Sequence, residues 1–288
     1  MAHSAYSSGT GQHGPLKASM SKPALPALFV SHGSPMFAVE PGSSGPALTL
    51  WGQALAESVT DGLRGIVLMS PHWMARTPAV MTGSAPATWH DFGGFPKPLY
   101  ALQYPAPGAP ALAGEVLGLL QAAGIAAQPD AARPFDHGAW VPLMHLFPKA
   151  DVPVVQVALP ADAGPAEVFA MGAALGALRA KRVLVIGSGS MTHNLSEFFG
   201  GARDASPYVV EFSRWIEAAI ERGDKKALLD YRRLAPHAAR AHPSDEHFLP
   251  IFFALGVAGW GGAQPVQPDY LSREVMYGML AMDSFALA

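Results

Sequence analysis

The chain has 288 residues, half of them apolar and only 14% charged, with a formal charge of −3. This balance allows a large buried core, gives no basic footprint for nucleic acid or an anionic membrane surface, and includes no apolar run near the roughly 20 residues of a membrane span. Cysteine is absent, which removes disulfides, thiolate metal sites, iron–sulfur clusters and thiol nucleophiles together. Any metal must be held by His, Asp, Glu or backbone oxygen, and a reducing cytoplasm suits the composition.

Residues 1–22 are rich in Ser, Gly and Ala, lack the apolar stretch of a signal peptide, and read as a flexible tail before one folded domain over 23–288. Pro26–Ser31 is a short apolar strand, and Pro46–Val59 carries helical spacing through Leu48, Trp51, Leu55 and Val59. Gly65–Ser70 is a second apolar strand; Thr77–Thr82 is a third, placed nearer an edge because Pro78 lacks a donor. The aromatic, turn-rich stretch His90–Tyr100 reads as a functional loop. Pro110–Ala123 is a helix stopped by Gly124, followed by a weak strand at Ile125–Gln128 and a short helix at Trp140–Phe147. Pro153–Ala158 and Arg182–Ile186 are strands on either side of a helix at Pro165–Ala180. Helices follow at Tyr208–Glu221, Lys225–Tyr231 and Glu246–Leu255, with a last strand near Glu274–Met279. Strands alternating with helices predict an α/β domain, its largely parallel central sheet flanked by helices on both faces.

Three histidines follow apolar strands: His32 after Leu25–Val30, His72 after Gly65–Met69 and His193 after Arg182–Ile186. In an open α/β sheet, ligands bind beyond the carboxyl ends of the strands, and imidazole is the commonest metal ligand. His247, in Asp245-Glu246-His247 at the start of an apolar helix, joins them as a candidate. His3, His13, His145 and His237 read as solvated or structural. Phe135-Asp136-His137-Gly138 has two readings: a turn whose Asp caps the next helix, or a cleft histidine, His137, donating a hydrogen bond to substrate or oxygen. Gly187-Ser188-Gly189-Ser190 lacks the third glycine of a dinucleotide loop, and neither a P-loop nor a G-x-S-x-G nucleophile motif occurs.

Taken in order, the segments Pro26–Met36, Ser70-Pro71-His72-Trp73, His90–Pro96, Tyr104–Gly108, Phe135–Trp140, His193-Asn194-Leu195 and His242–Pro250 resemble the DODA-type extradiol ring-opening dioxygenases. These belong to the class III family that includes the LigB-like catalytic subunits. The resemblance implies that His32, His72 and His247 hold a metal, Fe(II) for activity with Zn(II) as another occupant. It makes His193 an acid/base with a pKa near working pH, or a further ligand in a zinc-loaded form. His137 would contact substrate or oxygen, and Asp91, Phe92, Phe95 and Trp73 would bind a catechol. The wider class uses two His and one carboxylate; here the third ligand reads as His247, with Glu246 and Asp245 as carboxylate alternatives. Arg76 and Arg133 are the cations nearest the motifs for a substrate carboxylate. The implied partners are a small catechol and O₂, without nucleic acid or membrane, and the Pro/Gly loops would allow a homo-oligomer. Two rivals use the same histidines: a zinc hydrolase that needs no O₂, and a metal-binding protein without catalysis.

Overall fold

The computed structural model describes residues 24–200, 204–262 and 266–288; the tail expected over residues 1–22 lies outside them. The first half of the chain contains β1 (Ala27–Ser31), α1 (Ser44–Ser58), β2 (Gly65–Ala75), β3 (Ala79–Met81), α2 (Pro110–Ala122), β4 (Gln128–Asp130) and α3 (His137–Leu146). The second half contains β5 (Val154–Pro160), α4 (Pro165–Leu175), β6 (Val183–Gly189), α5 (Pro207–Glu221), α6 (Lys225–Leu229), α7 (Tyr231–Leu234), α8 (Ala238–Ala241) and α9 (Pro250–Val257). Four short strands close the chain: β7 (Pro268–Ser272), β8 (Val275–Met276), β9 (Leu280–Ala281) and β10 (Ser284–Leu287).

Eight strands form one sheet in the order β4-β3-β5-β2-β6-β1-β10-β7. The central four, β5-β2-β6-β1, are parallel, with Val67 opposite Val185 and Ala27 also opposite Val185 on the other side. Antiparallel pairs add β3 to β5 on one flank and β10 and β7 on the other. The sheet is mostly parallel, as expected, and helices cover both faces. Period-two alternation sorts the side chains. Phe29, Val67, Met69, Val155, Val157, Val183 and Val185 pack with α2, α4, α5 and α9. Leu28, Val30, Ile66, Leu68, Leu184 and Ile186 pack with α1 and α3.

Several boundaries differ from expectation for local reasons. β3 is one strand in from the edge, because the three-residue β4 pairs outside it and Pro78 precedes it. The helix expected over Pro165–Ala180 turns into a 3-10 segment at Gly176. The helix expected to open at Glu246 begins at Pro250, whose missing N–H costs nothing at a first helical position. α1 begins before its expected start because the Glu274 carboxylate, from the far end of the chain, accepts from the amides of Ser43 and Ser44 and from the Ser44 hydroxyl.

The fully buried helix α9 lies against α4 through two glycines. A methyl at Gly172 would overlap the Phe253 carbonyl, and one at Gly256 would overlap the Phe169 carbonyl. Gly172→Ala should push the two helices apart and lower stability by about 1–3 kcal/mol, the usual scale of overpacking. Its urea midpoint, set against that of Gly114→Ala on open α2 surface, measures this.

Candidate metal centre

The carboxyl edge of the parallel strands carries the histidines. His32 follows β1 directly, and its amide donates to the carbonyl of Gly189 at the end of β6. His72 sits inside β2, where pairing with β5 skips from Ser70 to Met74. The extra residues Pro71-His72-Trp73 bulge from the ladder, and a bulge re-aims the side chains it carries. His247 lies in the turn before α9, held by its carbonyl accepting from the Ser190 amide at 2.7 Å.

Their Nε2 atoms converge. His72 Nε2 is 3.2 Å from His32 Nε2 and 3.3 Å from His247 Nε2. Two nitrogens bound to one ion at 2.0–2.1 Å in tetrahedral geometry are separated by roughly 3.3 Å. The opposite ring atom of each imidazole decides whether those nitrogens carry lone pairs. Pro142, inside α3, has no N–H for the Gly138 carbonyl one turn back, so that carbonyl accepts from Ser188 Oγ at 2.5 Å instead. With its proton committed, Ser188 accepts from His32 Nδ1 at 3.0 Å. Glu246 accepts from His247 Nδ1 at 3.1 Å, and Asp91 Oδ2 faces His72 Nδ1 at 3.6 Å. The Nδ1 atoms of His32 and His247 are thereby hydrogen-bonded, and His72 Nε2 lies beside the Nε2 atoms of both other rings. Such a set fits a cation.

Charge follows the same plan. Burial, then the neighbouring imidazoles, lowers the pKa of His32 and His72, and burial also lowers that of His247 against the pull of Glu246. All three are neutral at pH 7, as ligands must be. The hydrogen bond from His247, opposed by burial, holds Glu246 at about 2. For Asp91 burial raises the pKa, but the hydrogen bonds and proximity of His137 outweigh it and keep the carboxyl below its usual range.

His137 opens α3. Its amide and Nδ1 both donate to Asp91 Oδ1, at 2.9 and 3.0 Å, and its ring lies 3.9 Å from that of His72. His193 stacks on His247 at 3.5 Å with the planes 7° apart. The expectation that His193 titrates near neutrality needs correction: burial, then His247 and His242, pushes it down to about 3.

A cavity of about 570 Å³ opens over this cluster, lined by His72, His137, His193 and His247 with Phe92, Phe95, Leu195, Phe198, Met279 and Leu280. Phe92 meets the His137 and Phe95 rings edge-on at 5.7 and 5.3 Å. Phe92 and Phe95 thus reach the cavity as expected. Asp91 stands behind the imidazoles. Trp73 does not line it; buried within the bulge, it packs in the core cluster of Ile66 and Leu68.

Trp73 has another place, one that also revises the reading of Arg133. The Arg133 guanidinium lies between Trp73 and Trp89, with Cζ 4.9 and 5.1 Å from the ring centroids. It donates to the His72 carbonyl at 3.0 Å and to Asp136 Oδ2 at 2.6 Å. Asp136, fully buried, also accepts from Ser70, Gln156 and the Ala139 amide, the last as the cap of α3. The capping reading of Asp136 therefore holds, and His137 lines the cavity. Arg76 lines a separate surface groove. Ser188, Gln156 and the walls Leu195, Phe198, Met279 and Leu280 were not anticipated; only Ser188 left a trace in sequence, as a polar residue ending an apolar strand.

A histidine centre at the carboxyl edge of a mostly parallel sheet, beside an apolar cavity, defines the metalloenzyme class of site. A family profile described as the catalytic LigB subunit of aromatic ring-opening dioxygenase matches residues 26–280. The chain belongs to that family and is a ring-cleaving dioxygenase. It is 36% identical to a 4,5-DOPA dioxygenase extradiol of Beta vulgaris over 234 residues, covering 81% of this chain and 86% of that protein. It is 34% identical to the Escherichia coli K12 protein of the same name, covering 86% and 89%. The crystal structure of an uncharacterized protein from Escherichia coli K12 superposes with a TM-score of 0.72 at 28% identity, covering 92% of this chain and all of that one. Among the described residues no helix is long and apolar enough to cross a membrane.

Two measurements test this frame. Arg133→Ala leaves the Asp136 carboxylate buried without its ion pair, a loss of about 3–5 kcal/mol, read from the urea midpoint. His193 and His242 both have folded pKa values of about 3, set chiefly by burial, against the ordinary 6.5. Below pH 6.5 the unfolded chain takes up protons that the folded chain refuses until about pH 3. Stability of the metal-free protein is therefore full above pH 6.5 and falls on acidification, so Tm should be lower at pH 5 than at pH 7.5.

Proposed function

We propose that this protein is an extradiol dioxygenase that opens a catechol ring with O₂ at an Fe(II) centre held by His32, His72 and His247. The reaction places both atoms of O₂ in the product, a muconic semialdehyde, by cutting the ring bond beside one hydroxyl-bearing carbon. The observation that carries the reading is the approach of the His32 and His247 Nε2 atoms to His72 Nε2 beneath an aromatic-walled cavity in a chain of the LigB family. Bound there, Fe(II) would supply the coordination sites and the electrons that let catechol and O₂ react. The names of the curated relatives support a catechol as substrate.

The protein's own groups supply the rest. His193, neutral at rest, faces the cavity and accepts the phenolic proton; the negative charge of the catecholate raises its basicity only when substrate is present. His137 is fixed by Asp91 with Nδ1 as donor, which leaves Nε2 to accept a hydrogen bond within the cavity. Phe92 and Phe95 cover the ring and exclude water. Three imidazoles are also a catalytic zinc set, so a zinc hydrolase is the competing reading of the same residues.

Protein reconstituted anaerobically with Fe(II) should take up O₂ with catechols and form a yellow semialdehyde, and the zinc-loaded protein should not. Absence of uptake at full iron occupancy with every catechol refutes the assignment. His72→Ala should lose both metal, by elemental analysis, and turnover. His193→Ala should retain metal and lose about 10²–10⁴-fold in kcat; a kcat near that of the parent protein sinks the proton-acceptor role.

A further inference from the structure

His193, read above as the proton acceptor, lies in no described helix or strand. It sits between the end of β6 at Gly189 and the 3-10 turn that opens at Leu195, so no ladder or helical hydrogen bond fixes its ring. What holds residues 190–194 from outside decides where that ring stands. One side is tied to β1 and the closing strands. The Met191 amide donates to Ser31 Oγ at 3.1 Å; Thr192 Oγ1 donates to the Met279 carbonyl and accepts from the Ala281 amide, each at 2.8 Å. The other side is tied to residues 240–242. The His193 amide donates to the Ala241 carbonyl at 2.8 Å, Asn194 Nδ2 to the Arg240 carbonyl at 2.8 Å, and His242 Nε2 to the Met191 carbonyl at 2.9 Å.

His242 is built as a rigid donor. It is fully buried and ends α8 in an extended conformation, φ −136° and ψ 91°, the region that a following proline imposes. The Arg232 guanidinium donates to its carbonyl, and the Phe212 and Phe248 rings lie 5.5 and 4.9 Å from the imidazole. An apolar side chain would suit those phenylalanines at less desolvation cost; what an imidazole adds is the N–H directed at Met191. His242 does not line the cavity, so any part it has in turnover passes through another residue. We propose, resting on the proton-acceptor reading of His193, that His242 is a positioning residue: its bond to the Met191 carbonyl keeps the His193 ring stacked on His247 and facing the cavity.

Two substitutions separate the bond from the bulk. Glutamine carries an N–H as far from the backbone as imidazole Nε2, whereas asparagine stops a bond short. Misplacing a reacting group by about 1 Å can cost on the order of 10²-fold in rate. His242→Asn should therefore lower kcat by about 10-fold to 100-fold at unchanged metal content and KM, and His242→Gln should restore most of it. Because His242 acts through His193, His242→Asn should add no further loss in a His193→Ala background. A general weakening of the fold would lower kcat in both backgrounds.

A second readout is independent of turnover. Stacking at 3.5 Å holds the His193 ring protons in the shielding region of the His247 ring. In the full-length zinc-loaded protein, which is diamagnetic, the ¹H–¹³C signal of His193 Cε1 is identified by its disappearance in His193→Ala. That signal should move downfield in His242→Asn and stay near its parent position in His242→Gln. Parent values of both kcat and shift in His242→Asn overturn the positioning role, as does an equal loss of kcat in the His193→Ala background; the ring-cleavage reading then stands. The predicted shift in a protein that cleaves no catechol upholds the positioning and removes the reaction.

Discussion

The buried carboxylate of Asp136 is the constraint on which the site depends. A charge with no solvent contact is tolerable only when its lone pairs are all engaged. Asp136 meets that requirement with donors from four places: Ser70 in β2, Gln156 in β5, Arg133 in the preceding loop and Ala139 in the first turn of α3. To satisfy one anion the fold must bring these four segments together. Doing so sets His72, two residues beyond Ser70, and His137, beside Asp136 itself, in one place. Gly138 admits this approach, since a methyl there would overlap Ser70 Oγ and crowd His72. The two tryptophans around Arg133 hold the cation where Asp136 needs it.

Negative charge around the histidines is kept on the Nδ1 side of the rings, across the imidazole from Nε2. Asp91 and Glu246 touch imidazoles through Nδ1, and Ser188 does the same for His32 with a neutral hydroxyl. The carboxylates thus fix ring orientation and tautomer without entering the nitrogen set. Glu246, considered from sequence as a ligand in place of His247, hydrogen-bonds His247 Nδ1 and also lies with His193 and His247 in a group that could hold a metal. Under the proposed assignment, a site of this kind would keep the full charge of a divalent ion available to an anionic substrate, which a carboxylate ligand would partly cancel.

The central strands and their histidines were legible because buried parallel strands are continuous apolar runs and the ligand edge follows from strand direction. His72 was placed at that edge correctly, but the bulge that aims it arises from pairing with β5, which local sequence does not encode. Trp73, in the same bulge, packs in the core instead of lining the cavity. His247 lies beside His72 although its helix was misplaced, since Pro250 sets the start of α9 and leaves the histidine in a turn. Ser188 hid in a glycine–serine run that matched no nucleotide motif, and its role exists only because Pro142 frees a carbonyl on another element. The cavity walls come from segments far apart in sequence, and only tertiary packing reveals them. Of the closing short strands only β8 fell within the strand expected near Glu274–Met279; β7, β9 and β10 escaped because mixed polar and aromatic residues there carry no clear period.

The three converging nitrogens belong to residues separated by 40 and 175 positions along the chain. An unfolded chain presents no such set, so an ion that binds all three acts as a reversible cross-link closing two long loops. Folding and metal uptake then become a single linked equilibrium. Each tenfold rise in free metal above its dissociation constant deepens the native well by about 1.4 kcal/mol. The resting stability of the protein is thereby a readout of metal supply, and a chain starved of its ion would be the first to reach the proteases.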